Sequence, residues 1–283
     1  MKVTGILNIN KPAGITSYDV VDVIKKIFDG SKVGHTGTLD PIATGVLPII
    51  IGDATKLSND LMAETKVYRV KMLLGVETNT YDITGKIVFA SVIRNDEIYI
   101  RERIKRFIGK QLQIPPEFSA IRVEGKRAYE YAREGKKVEL KPREIEIFDI
   151  NLIEYNNKEI KFSVRCSKGT YIRILCEDIA EKLGPIGYMK ELQRTSINEF
   201  KIENSISIDD LDNINIEEEI ISIEKVFEDK PKIDLNNRKL ELFLNGVQLT
   251  HDLDDGLYRV YNSNNFIGLG IVKNKLLKRD IVI

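Results

Sequence analysis

The sequence has no tryptophan, two histidines and two cysteines in 283 residues, and its 43 basic and 43 acidic side chains cancel. Each scarcity removes a class of function. Cys166 and Cys176 lie ten apart with no histidine or cysteine at metal-ligand spacing, so both read as reduced thiols. No apolar run approaches the roughly 20 residues needed to span a bilayer. The first residues lack the apolar core and cleavage site of a secretory signal, and a cytoplasmic protein is expected. There is no Gly-Lys-Ser/Thr phosphate loop and no dinucleotide glycine fingerprint. Zero net charge gives no global sign of a polyanionic partner.

Hydrophobic residues make up 42% of the chain and charged ones 30%, an ordinary globular balance ample for a large core. Length suggests one large domain, or one with a small companion. Charge is uneven. Residues 101–144 hold thirteen Lys/Arg against seven Asp/Glu, and residues 201–230 hold three against ten. That asymmetry fits a basic face for a polyanion and an acidic segment turned elsewhere, although charge runs are also common as plain solvated faces.

The densest punctuation is Gly34-His35-Thr36-Gly37-Thr38-Leu39-Asp40-Pro41-Ile42-Ala43-Thr44-Gly45-Val46-Leu47. Three glycines open backbone conformations closed to other residues. Pro41 pushes Asp40 toward extended geometry. Asp40 therefore sits on a restrained loop feeding the apolar run Val46 to Ile51, which suits a carboxylate held for chemistry. A plain turn with a self-bonded aspartate has the same pattern.

Around it, Val3 to Ile9 reads as a strand and Thr16 as a helix N-cap with Asp19 closing a capping box. Val20, Val21, Ile24, Ile27 and Phe28 form one helical face. Asp53 is expected to cap a short helix through Leu61. Lys66 to Leu74 alternates, with Tyr68, Val70 and Met72 on the apolar face. Thr78 to Gly85 reads as a loop and Asp96 to Ile108 as a helix. In Pro115 to Arg143, with the turn Glu124-Gly125 and a short helix Arg127 to Arg133, basic residues interleave with Phe118, Tyr129 and Tyr131. RNA loops favour that mixture, because bases stack on rings and phosphates meet cations. Strands follow at Glu144 to Ile153 and Lys158 to Cys166. A helix follows at Tyr171 to Leu183, then a strand-like run through Leu192 toward Phe200. Residues 201–230 read as an acidic linker with one or two helices, and Leu242-Phe243-Leu244, Gly256 to Val260 and Phe266 to Val272 as short strands. Strands outnumber helices without strict alternation, so the fold class is α+β with a mixed or antiparallel central sheet and flanking helices.

The 34–47 motif resembles the signature of the tRNA pseudouridine synthase B family. Four further stretches resemble that family in the same order. They are Ile6 to Gly14, Lys66-Val67-Tyr68, the pair Pro115 to Ala120 with Gly125 to Tyr129, and Ser167-Lys168-Gly169-Thr170-Tyr171-Ile172-Arg173. The resemblance spans roughly residues 5 to 195, and five ordered motifs are far more specific than one.

It implies a pseudouridine synthase catalytic domain over residues 1–228 with an RNA-gripping insertion at about 115–143. A small β-barrel domain of the PUA type would occupy 229–283. It implies isomerisation of uridine 55 in the TΨC arm of tRNA, needing neither cofactor nor metal, by a protein acting as a monomer. Asp40 would be the nucleophile, Arg173 its ion-pair partner and Tyr68 the ring stacked on an extruded uracil. Tyr171 and Leu192 would line the pocket, and His35 would pack near the base. Lys126, Arg127, Arg133 and Lys136 would hold RNA. Competing readings are a guide-RNA-dependent pseudouridine synthase, an RNA chaperone, and a globular protein with a glycine-rich turn.

Overall fold

In a computed structural model, which describes residues 3–58, 61, 65–90, 96–156, 158–184 and 186–283, the N-terminal four-fifths is organised around one mixed sheet. Its first strands are β1 (Gly5–Lys11), β2 (Val33–His35), β3 (Thr44–Ile51) and β4 (Lys66–Leu74). A side hairpin of β5 (Val76–Thr78) and β6 (Ile87–Ala90) precedes β7 (Gly109–Gln113). A second hairpin, β8 (Arg122–Val123) and β9 (Lys126–Arg127), precedes β10 (Arg143–Asn156) and β11 (Glu159–Cys166). The sheet is completed by β12 (Gly187–Ile197), β13 (Phe200–Lys201) and β14 (Ile206–Ser207). The path runs β14-β1-β3-β12-β4-β11-β10-β7, with β2 beside β3 and β13 beside β12. Along it, β1/β14 and β3/β12 are parallel and the other pairs antiparallel. The expected mixed sheet is the one found.

The apolar run of β3 is explained by its position. Leu47, Ile49 and Ile51 face one side with Leu7 and Ile9, while Val46 and Ile50 face the other with Ile6. Both faces are covered, so the strand has no polar side to show. Helices α1 (Ser17–Ile27), α2 (Glu97–Lys105) and α4 (Ile172–Leu183) cover the first face, with the short α3 (Ala128–Arg133) in the insertion. Each fully buried aliphatic side chain there contributes about 1.5–3 kcal/mol. The Thr16 capping box forms as the sequence predicts, with Thr16 Oγ1 accepting from Asp19 N at 3.1 Å.

The opposite face meets the C-terminal region through Ile223, Phe227, Leu269 and Ile281. That region contributes α5 (Ile223–Val226), β15 (Lys232–Asp234), α6 (Asn237–Leu244), β16 (Leu249–Thr250), β17 (Gly256–Asn262), β18 (Asn265–Lys273) and β19 (Leu276–Val282). Its strands, in the order β15-β17-β18-β19-β16, curl into half a barrel around Phe243, Val260 and Leu277, in keeping with a PUA-like domain.

Two local expectations are corrected. Leu242-Phe243-Leu244 is the end of helix α6, not a strand. Asn236 Oδ1 caps that helix, accepting from Lys239 N at 3.0 Å, and Leu240 and Phe243, three residues apart, pack into the small core. A short apolar triplet does not by itself separate the two periods. Asp53 does not stand at a cap position: it lies inside a 3-10 turn, Gly52–Leu57, whose cap position is Ile51, and its carboxylate pairs with Lys56 Nζ at 2.6 Å. The expected continuation to Leu61 crosses residues 59–60, outside the described residues. Among the described residues no helix is long and apolar enough to cross a membrane.

Candidate active site

The loop between β2 and β3 carries Asp40 and is tied down on both flanks. Leu39 N donates to Ser17 Oγ at 2.9 Å, so the loop is fastened to the start of α1. Gly14 N donates to the Pro41 carbonyl and Ala43 N to that of Asp40, at 2.8 and 3.0 Å. These bonds surround Asp40 with satisfied backbone and leave its side chain free to point at α4.

On α4, Arg173 meets it. Arg173 Nε lies 3.0 Å from Asp40 Oδ2 and Nη2 donates to Oδ1 at 3.3 Å, a two-point grip. Nη2 also donates to the Phe118 carbonyl at 2.8 Å, joining the first residues of the insertion to the pair. The arginine is 5% exposed and the aspartate 36%. A second carboxylate shares the cation, with Asp82 Oδ2 4.0 Å from Arg173 Nε. Asp82 Oδ1 accepts from Thr84 N and Thr80 Oγ1, both at 2.9 Å, in the loop after β5. Burial pushes the Asp40 carboxyl above the usual range; Arg173 opposes that and Asp82 adds to it.

Beneath the pair runs a row of side chains across four strands. Lys11 on β1 stands opposite Gly45 on β3, Gly45 beside Arg194 on β12, and Arg194 opposite Tyr68 on β4. Gly45 is required there: its φ is +103°, and a Cβ would lie 2.2 Å from the Arg194 carbonyl oxygen. Lys11 is fully buried, and its Nζ donates to the carbonyls of Pro12 and Ile15, both at 2.8 Å. Burial, against the pull of Asp40, lowers its pKa to about 8. Arg194 donates Nε to Val46 O at 2.7 Å and Nη2 to Gly37 O at 3.0 Å, and faces the Tyr68 hydroxyl. Burial pushes the Tyr68 phenol up, and Arg194 opposes that.

The other expected residues sort into two places. Leu192 is on β12, two residues before Arg194 and opposite Val70. Tyr171 is the N-cap residue of α4, pinned when its N–H donates to Gln113 Oε1 at 2.8 Å and its carbonyl accepts from Gln113 Nε2 at 3.1 Å. His35 ends β2, and its Nδ1 accepts from Gly37 N at 3.2 Å. Burial, with Arg194 nearby, keeps its pKa below the usual value, so at neutral pH it is an uncharged, oriented ring. The four basic residues lie outside this cluster, on β9, on α3 and just past it. Lys126 and Lys136 both pair with Glu134, and Arg127 and Arg133 lie over the Tyr129 ring at 5.9 and 5.3 Å.

Lys11, Asp82 and Arg194 were not among the site residues expected from the sequence. Lys11 lies within the Ile6 to Gly14 stretch, to which no site residue was assigned, Asp82 carried the signal of threonines two residues away on either side, and Arg194 gave none.

The architecture recurs in solved structures. In a crystal structure of a Cbf5-Nop10-Gar1 complex the likeness has TM-score 0.71 at 28% identity, covering 94% of this chain and 78% of that one. In an H/ACA RNP bound to a substrate RNA containing 2'-deoxyuridine it has TM-score 0.72 at 26% identity, covering 98% and 84%. The fold is that of the pseudouridine synthases. Within that class the chain belongs to the TruB family of pseudouridylate synthases, whose N-terminal domain model matches residues 25–172; the tRNA pseudouridylate synthase B C-terminal domain model matches residues 173–228. It is 46% identical over 275 residues to the tRNA pseudouridine synthase B of Clostridium tetani (strain Massachusetts / E88), covering 94% of each chain. It is 42% identical over 280 residues to that of Aquifex aeolicus (strain VF5), covering 96% of this chain and 97% of the relative.

Proposed function

We propose that this chain converts uridine 55 in the TΨC arm of tRNA to pseudouridine without a guide RNA. The observation that carries the reading is the two-point grip of Arg173 on Asp40, beside Tyr68, in a chain 46% identical to a tRNA pseudouridine synthase B. The reaction breaks the bond from ribose C1′ to uracil N1 and forms one from C1′ to C5. The C5 hydrogen leaves as a proton and N1 gains one, so no electrons are exchanged and no cofactor is proposed.

Asp40 supplies the carboxylate that acts on the linkage, and Arg173 keeps it ionised against burial. The target base stacks inside a folded loop and has to be flipped out, at a cost of a few kcal/mol that pocket contacts offset. Tyr68 stacks on the extruded uracil, Tyr171 and Leu192 wall the pocket, and neutral His35 packs near it. Lys126, Arg127, Arg133 and Lys136 meet RNA phosphates in the insertion at 115–143. We further propose a monomer in the cytoplasm, with residues 1–228 as the catalytic unit and 229–283 as an RNA-binding one.

The likeness to an H/ACA RNP favours a second reading, in which a guide RNA presents the uridine. An unmodified tRNA transcript tritiated at uridine C5 separates the two. Release of tritium by the protein alone, lost when position 55 is changed to cytidine, is the expected result. No release, or release only with added guide, overturns the proposal.

A further inference from the structure

Arg194 is the largest fully buried side chain among the described residues, and the reaction as described leaves it without a task. Burying a guanidinium is costly unless its donors are met. Arg194 Nε donates to the Val46 carbonyl and Nη2 to that of Gly37. They bracket Asp40 in sequence, one before it and one after. One side chain on β12 thus holds both ends of the loop that carries the reacting carboxylate. The same guanidinium stands opposite Tyr68 across the β12/β4 pair and faces its hydroxyl.

We propose that Arg194 is a positioning residue of the isomerisation, clamping the Asp40 loop at both ends and orienting the Tyr68 hydroxyl toward the uracil pocket. The inference rests on the reading of this chain as a tRNA uridine isomerase. Arginine offers five N–H donors and no acceptor. Facing Arg194, the Tyr68 oxygen accepts, and its own hydrogen is turned away from the guanidinium. Lysine brings the same charge on a single nitrogen, which cannot reproduce the planar fork that serves Gly37, Val46 and Tyr68 together. At Gly45 a Cβ would strike the Arg194 backbone, 2.2 Å from its carbonyl oxygen, so the strand that carries Arg194 can lie against β3 only because that residue is glycine.

The test compares Arg194→Lys and Arg194→Gln with the unaltered chain, each alone and combined with Tyr68→Phe. Thermal unfolding, tRNA dissociation constant and single-turnover tritium release are measured for all. Arg194→Lys is expected to fold, to bind tRNA as the unaltered chain does and to lose ~100-fold in rate, the scale of a misplacement of about 1 Å. In the Tyr68→Phe background the same substitution is expected to cost much less, because coupled residues are not additive. A folded variant with an unchanged rate overturns the proposal, as does weaker binding that accounts for the whole loss. So does an equal cost in both backgrounds, or failure of both variants to fold, which makes Arg194 a residue of the core alone. If the unaltered chain releases no tritium, it is the underlying reading that fails.

Discussion

Asp40 and Asp82 face the same guanidinium: Arg173 Nε is 3.0 Å from one and 4.0 Å from the other. One cation therefore serves two acids, and Asp82 raises the Asp40 pKa as a like charge while Arg173 lowers it. The proposed mechanism uses Asp40 ionised, so the rate is expected to fall as pH drops through its pKa. Asp82→Asn removes the like charge and is expected to move that acid limb to lower pH. Arg173→Gln removes the cation and is expected to move it higher. Single-turnover rates between pH 4 and 8 read both shifts, and equal shifts of one sign would contradict this electrostatic account.

Asp40→Asn keeps the shape of the side chain and removes its charge. A loss of at least ~10³-fold in rate with tRNA binding retained is expected of a removed nucleophile. Arg173→Lys keeps the charge but loses the planar fork, so about 100-fold in rate is expected, again without loss of affinity. Tritium release beside filter binding separates the two quantities for each variant.

Gly45 on β3 is paired with Lys11 of β1 on one side and with Arg194 of β12 on the other. A methyl group there meets backbone, not a flexible side chain, and φ is +103°. Gly45→Ala is expected to destabilise the fold by ~2 kcal/mol or more. The denaturant midpoint should drop without a change in slope.

How much of this was legible follows from where the physics is local. The Thr16 capping box and the alternation of Lys66 to Leu74 are set by neighbours in the chain, and both are found as read. Asp40 and Arg173 lie 133 residues apart, and only the family motifs joined them before the fold did. Lys11 and Arg194 stayed hidden because charged side chains are rarely buried. Their partners are mostly backbone carbonyls, which every sequence has and none advertises. Asp82 sits in a polar turn of threonines, where an aspartate ordinarily just bonds the backbone, as its Oδ1 does here. The strand expected at Leu242 to Leu244 failed because three apolar residues fit either period, and the Asn236 cap decided for helix.

The insertion gives the last prediction. Lys126 and Lys136 spend their charge on Glu134, while Arg127 and Arg133 lie over Tyr129 and stay exposed. Burial does not hold the Glu134 pairs together, for these are surface ion pairs in water, worth little and easily exchanged. In the proposed RNA contact, a phosphate reaching the two lysines would first displace the glutamate. Glu134→Gln removes that competitor, so tRNA is expected to bind about two- to fivefold tighter and with a steeper salt dependence. Arg127→Gln and Arg133→Gln should instead weaken binding, each flattening the plot of log affinity against log salt by about one contact's worth, ~0.7–0.9. The mechanism also fixes what should not change: the single-turnover rate at saturating protein, since none of these groups touches Asp40. If Glu134→Gln left affinity and salt slope unaltered, the two lysines would belong to the insertion's own scaffold and the phosphate contacts would lie with the arginines alone.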